Sequence, residues 1–165
     1  MDPESMARWS AWPAAGCYIL AVVLRTLPGN PQRAIWRQRF WMWGWVALLA
    51  HVVASLGLVH DWSWSAAQAD TARRTQLAVG WNWGGGVWFN LATLLVWGLD
   101  LALDRIRSSS RSPWRRRWDV GCQSCLAFMF FNATVVFGSL PARVAGLMAC
   151  GGLIWLASAR YRRAR

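Results

Sequence analysis

The sequence predicts an all-α polytopic membrane protein, a single helical bundle over residues 1–165 with five transmembrane helices or, in the alternative, four. Three observations lead there. Five stretches are apolar enough to sit in lipid, their connections alternate between arginine-rich and arginine-poor, and tryptophans gather at their ends. A helix crosses the roughly 30 Å hydrocarbon core in about 20 residues. Trp9–Leu27, Phe40–His60, Gly80–Leu103, Val120–Leu140 and Pro141–Ser158 approach that length.

The first stretch carries Arg25 near its end. No small-x-small cleavage site follows its apolar core, Ala14–Leu24, before Pro28, so it reads as a signal-anchor helix rather than a removed leader. Met1–Ser5 (MDPES) differs from the chain behind it and holds the one glutamate, Glu4, which places the expected native start at Met6. The second helix is expected to begin before its lipid-embedded part. Asn30 can cap it and Pro31 suits a first position where no N–H is missed. Val46–Ala54 is apolar nearly all round, without the polar stripe that a water-facing helix keeps. Asp61–Val79 follows as the main outer connection, where Ser65 and Gln68 form a capping-box pattern ahead of an interfacial helix over Ala66–Gln76. Gly84-Gly85-Gly86 interrupts the entry to the third span, and Ser108–Pro113 (SSSRSP) reads as a flexible inner loop. In the fourth span Leu126–Phe131 is again apolar all round, and the short fifth offers Ala145, Gly146, Ala149 and Cys150 as a packing face of small residues.

Charge sets the expected orientation. Arg25, Arg33, Arg37 and Arg39 fall in one connection, and Arg105, Arg107, Arg111, Arg115, Arg116 and Arg117 in another. Arg160, Arg162, Arg163 and Arg165 fill the tail. In a five-span chain these lie on one side, and retained arginine marks the cytoplasm. The N-terminus is then outside and the C-terminus inside, with Arg143 the small dissent. Trp9, Trp12, Trp36, Trp41, Trp43, Trp62, Trp64, Trp81, Trp83, Trp114 and Trp118 sit near span ends, where an apolar ring with one N–H is at home. Trp45, Trp88, Trp97 and Trp155 fall deeper and are expected between helices.

The net charge of +11 does not indicate nucleic acid, because the arginines cluster where topology and anionic headgroups account for them. The chain has no lysine, which excludes a Schiff-base cofactor; arginine in its place points to a bacterial inner membrane in a GC-rich organism. His51 and His60 are nine residues apart, about 180° round a helix, so they cannot hold one haem between them within a chain. No other cofactor is indicated.

Ionisable groups in the bilayer cost at least about 2.5–3.5 kcal/mol on insertion scales, so each calls for a reason. His51, Asn90 and Asn132 fall near mid-depth on three spans and form a candidate polar layer, either a packing device or a pathway. Gly86, Asn90, Thr93, Trp97, Asp100 and Asp104 share an arc of about 80°, a stripe that must face protein or water. Arg25 and Asp100, both near inner helix ends, are the expected intramembrane ion pair. His60, Asp61 and Asp70 are a sparse candidate metal set. Cys122-Gln-Ser-Cys125 is a candidate redox pair, read more readily as buried reduced thiols because no thioredoxin-like pattern surrounds it.

Three functions follow. The first is a non-catalytic membrane protein, either a homo-oligomer or an accessory subunit of a larger complex. The second is a small channel or transporter using the His51–Asn90–Asn132 layer. The third is a membrane redox or metal-binding protein using His51, His60, Asp61 or the cysteine pair. The partners expected are the lipid bilayer and other membrane helices.

Overall fold

The computed structural model describes residues 3–106 and 112–163. Most of the expected inner loop, Ser108–Arg111, lies outside them, as do Arg107, Arg165, Met1 and Asp2. The described chain is all-α. Its six helices are α1 (Pro3–Thr26), α2 (Pro31–Ala54), α3 (Trp64–Val79), α4 (Gly86–Ile106), α5 (Pro113–Phe131) and α6 (Leu140–Arg163). Two of them, α2 and α5, run on into a π-helical turn, Ser55–Val59 and Asn132–Val136 respectively. At the second of these the Phe137 N–H reaches back to the Asn132 carbonyl, 2.9 Å, a bond that skips one residue more than an α-helical one.

Four continuous segments are long and apolar enough to cross a membrane: Ser5–Thr26, Pro31–Val59, Gly86–Asp104 and Pro113–Val136. The expected fifth span is reduced to a shorter apolar helix, Leu140–Leu156. The ends of the spans are set by caps. Asn30 Oδ1 accepts the Gln32 N–H at 2.8 Å, so α2 starts at Pro31 as its sequence indicates. Ser112 Oγ accepts the Arg115 N–H at 3.3 Å ahead of Pro113, which starts α5 seven residues before the apolar run. For α3 the cap is Ser63, not Ser65, and the helix is longer at both ends than the capping-box pattern indicated. Between the π-turn of α2 and that cap, Asp61 (φ 47°) and Trp62 (φ 59°) take left-handed conformations and reverse the chain. The start of α4 moves back to Gly86 because residues 80–85 are used in returning from α3. A side chain at Gly84 would stand 2.6 Å from the Gln68 carbonyl.

The most extensive helix pairing is α1 with α2. α4 packs on α2, α5 on α4, and α6 on α1 and the π-turn of α5, while α3 lies against α4. The core is aromatic and sits where α1, α2, α4 and α5 converge: Tyr18, Ala21, Trp41, Trp97, Cys122 and Leu126. Trp41 and Trp97 are 5.0 Å apart between ring centres, and Tyr18 meets both at 6.2 Å. On α6, Ala142 and Gly146 are buried. Of the expected small face, Ala149 and Cys150 are half-buried and Ala145 is exposed.

Large apolar side chains cover the outside. Leu95 is 66% exposed, Val120 62%, Phe128 55% and Met148 72%. Water would make that surface costly at about 25 cal/mol per Å², whereas lipid accepts it. Of the four deep tryptophans, Trp155 belongs to this surface, and Trp88, though exposed, meets Trp64 of α3 edge to face with ring centres 4.9 Å apart. Trp97 is buried, and Trp45 donates to the Leu94 carbonyl at 2.9 Å. Arg143 also finds a local use, donating to the carbonyls of Gly138 (3.0 Å) and Val136 (3.3 Å) at the end of the π-turn. It serves open helix-end acceptors.

Candidate functional site

The polar centre of the bundle is Asp100, near the last turn of α4 and 5% exposed. Three donors reach its carboxylate from two other helices. Trp41 Nε1 of α2 lies 2.9 Å from Oδ2, and Trp118 Nε1 of α5 lies 2.9 Å from Oδ1. Arg115 Nη2, also on α5, stands 3.1 Å from Oδ1. The same guanidinium pairs with Asp104, one turn further along α4. A buried carboxylate is tolerable only when its oxygens are served, and both are.

A second pair lies beside the first. Arg25 of α1 grips Asp119 of α5 with both terminal nitrogens, one contact at 2.8 Å. The bidentate partner of Arg25 is therefore Asp119, where Asp100 was expected. The reason is geometric: on α5, Asp119 reaches Arg25 while Arg115 and Trp118, on the preceding turn, take Asp100. Around these pairs opens a cavity of about 1130 Å³. Arg25, Arg37, Arg115, Arg116 and Arg117 line it against Asp100, Asp104 and Asp119, and Ala21, Val22, Trp41 and Val120 give it an apolar wall.

The other expected sites are dispersed. His51 turns to α1, where Nδ1 lies 3.0 Å from the Ala7 carbonyl and 3.0 Å from Ser10 Oγ. Ser10 Oγ itself donates to Ala7 O at 2.7 Å, so the consistent tautomer carries its proton on Nδ1 and shares it between both oxygens. Asn132 bonds its own helix, Nδ2 to the Phe128 carbonyl at 2.8 Å, and Asn90 is exposed on α4. No described hydrogen bond joins any two of these three. The α4 stripe is real where it meets the core, with Thr93, Trp97 and Asp100 buried, and it opens at Asn90 and Asp104.

His60, Asp61 and Asp70 do not assemble either. Among the described residues no group of three metal-ligating side chains stands close enough to hold an ion. Asp70 is engaged on its own helix by Arg73 and Arg74, both at 2.7 Å. Partial burial of its carboxylate works upward, but the hydrogen bonds and charges of Arg74 and Arg73 outweigh it. They hold Asp70 below its ordinary value of 3.8. Cys122 is buried in the aromatic core and Cys125 half-buried, both as free thiols.

Sequence reading missed Trp41, Trp118 and Arg115 as partners of Asp100. Their expected position near span ends accounted for them as headgroup anchors. The signal that would have found them is the need of a buried carboxylate for N–H donors at its own depth. Comparison with family models, curated proteins and solved structures returns no match for this chain.

Because Ser10 already serves Ala7 O, the His51 contact is replaceable. His51→Asn, which places an amide N–H near Nδ1, is expected to stay within about 1 kcal/mol of the parent, the usual worth of one hydrogen bond. Thermal unfolding in detergent measures this. A loss of function at unchanged stability would instead assign His51 to a relay.

Proposed function

We propose that the chain is a small, non-catalytic integral membrane protein that crosses the bilayer five times with its arginine-rich face in the cytoplasm. It acts by assembly, with copies of itself or as the accessory subunit of a larger membrane complex. The observation that carries this reading is how the intramembrane polar groups are used. Asp100, Arg25 and His51 each bond a neighbouring helix, which is how a bundle fixes its packing. The unpaired apolar flank of α6, with Leu147, Met148, Ile154 and Trp155 exposed, supports assembly with further helices or lipid.

The fifth crossing rests on α6, whose apolar part, Leu140–Leu156, spans about 25 Å at 1.5 Å per residue. Local thinning of the bilayer and snorkelling of the flanking arginines close a gap of that size. A reporter fused after Arg165 is expected to read as cytoplasmic, and one inserted between Gln68 and Ala72 as external. Two reporters on the same side would reduce the count to four, with the short α6 lying on the surface.

A further inference from the structure

We propose that the crevice between α1, α2, α4 and α5 binds a phosphate group, supplied by the headgroup of an anionic lipid or by a soluble phosphorylated ligand. Its charges are unbalanced: five arginines line it against three aspartates. Arg25 is committed to Asp119, and Arg115 to Asp100 and Asp104. Arg37 lies within electrostatic reach of Asp104 and Asp119 without pairing with either, and Arg116 and Arg117 make no ion pair with a described residue. Guanidinium groups match phosphate oxygens in shape as well as charge.

Two independent features point the same way. Arg115 Nη1 is buried and has no partner, although Nη2 of the same group holds two aspartates. Arg115 lines the crevice, so rotation of its guanidinium would present Nη1 to an acceptor oxygen there. Ser112 and Pro113 bring the first turn of the 19-residue α5 to the crevice wall, so the positive end of its dipole lies there too.

The shape favours the lipid source. At about 1130 Å³ the crevice is larger than a bare phosphate needs, and exceeds the roughly 300–1,000 Å³ of common small-molecule sites. Its arginines sit beside an apolar wall of Ala21, Val22, Trp41 and Val120, so a headgroup and the start of an acyl chain find matching surfaces in one cleft. The surplus of cationic side chains selects net-anionic over zwitterionic headgroups.

The test is thermal unfolding of the full chain in neutral detergent, titrated with phosphatidylglycerol, phosphatidylcholine or inorganic phosphate. Phosphatidylglycerol is expected to raise the melting temperature more than phosphatidylcholine. The Arg37→Gln/Arg116→Gln/Arg117→Gln variant should lower its apparent affinity about tenfold, and Arg33→Gln/Arg39→Gln, on the same face outside the crevice, should retain it. Equal stabilisation by inorganic phosphate, lost in the same triple variant, supports the site with a soluble ligand as its source. Indistinguishable effects of all three additives, or a triple variant that binds as the parent does, overturn it. Should the triple variant not fold, Arg37→Gln alone decides: unchanged affinity there overturns the proposal. Because the measurement is made in detergent, its outcome is independent of the number of spans and of orientation.

Discussion

Asp100→Leu is expected to destabilise the protein by about 3–5 kcal/mol in detergent, the range seen when one partner of a buried ion pair is removed. The loss has two sources. The indole N–H groups of Trp41 and Trp118 lose their acceptor, that of Trp41 in a buried position. Arg115 keeps only Asp104, while its Nη1 is already without a partner. Asp100→Asn retains one carbonyl oxygen and should cost less. In Asp100→Leu/Arg115→Leu the stranded charge is gone, so part of the loss returns. Denaturant or thermal unfolding of the parent, Asp100→Leu, Arg115→Leu and the double variant measures the coupling. A single variant within about 1 kcal/mol of the parent would show that the three-helix node does not fasten the bundle.

Gly44→Val should follow closely, by about 1–3 kcal/mol, through overpacking and not through charge. A Cβ at Gly44 would stand 2.7 Å from Cη2 and Cζ2 of Trp97 and 3.2 Å from Cys17 Cβ. Trp97 is 3% exposed and held between Tyr18 and Trp41, so it has nowhere to retreat. Shortening the obstacle should relieve the clash: Trp97→Leu is expected to cost less in the Gly44→Val background than in the parent. Gly16→Ala is the control. Beyond its chain neighbours and its own helix backbone nothing lies within 4 Å of its Cβ position, and alanine there gains helix propensity. Equal losses at Gly44 and Gly16 would sink the packing argument.

These two positions also mark how far the sequence could be read. The helical class, the bilayer-length runs and the Asn30 cap were legible because periodicity, length and capping chemistry are local. The buried part of the α4 stripe was legible for the same reason: Thr93, Trp97 and Asp100 share a face by counting alone. What they face was not. Which cation meets Asp100 depends on how α5 is rotated against α1 and α4, and an arginine-rich segment offers several candidates at nearly the same depth. His51 was singled out by its depth, yet its partners come from the N-terminal turns of α1, a segment read as interface and not as a donor of polar contacts. Trp155 shows the converse error, since depth along a span does not say which side of the helix faces outward.

The π-turns at the far ends of α2 and α5 reset the helical phase. Each closes its hydrogen bonds one residue wider than an α-helical turn, so the residues after it are advanced by about 100° relative to the stripe before it. The faces that carry Trp41 and Gly44 on α2, and Arg115, Trp118 and Cys122 on α5, are set entirely on the near side of those turns. Length added or removed within Ser55–Val59 or Asn132–Val136 therefore changes the angle at which each helix hands over to the next segment without rotating the residues that meet at Asp100. The two spans are keyed at one end and adjustable at the other.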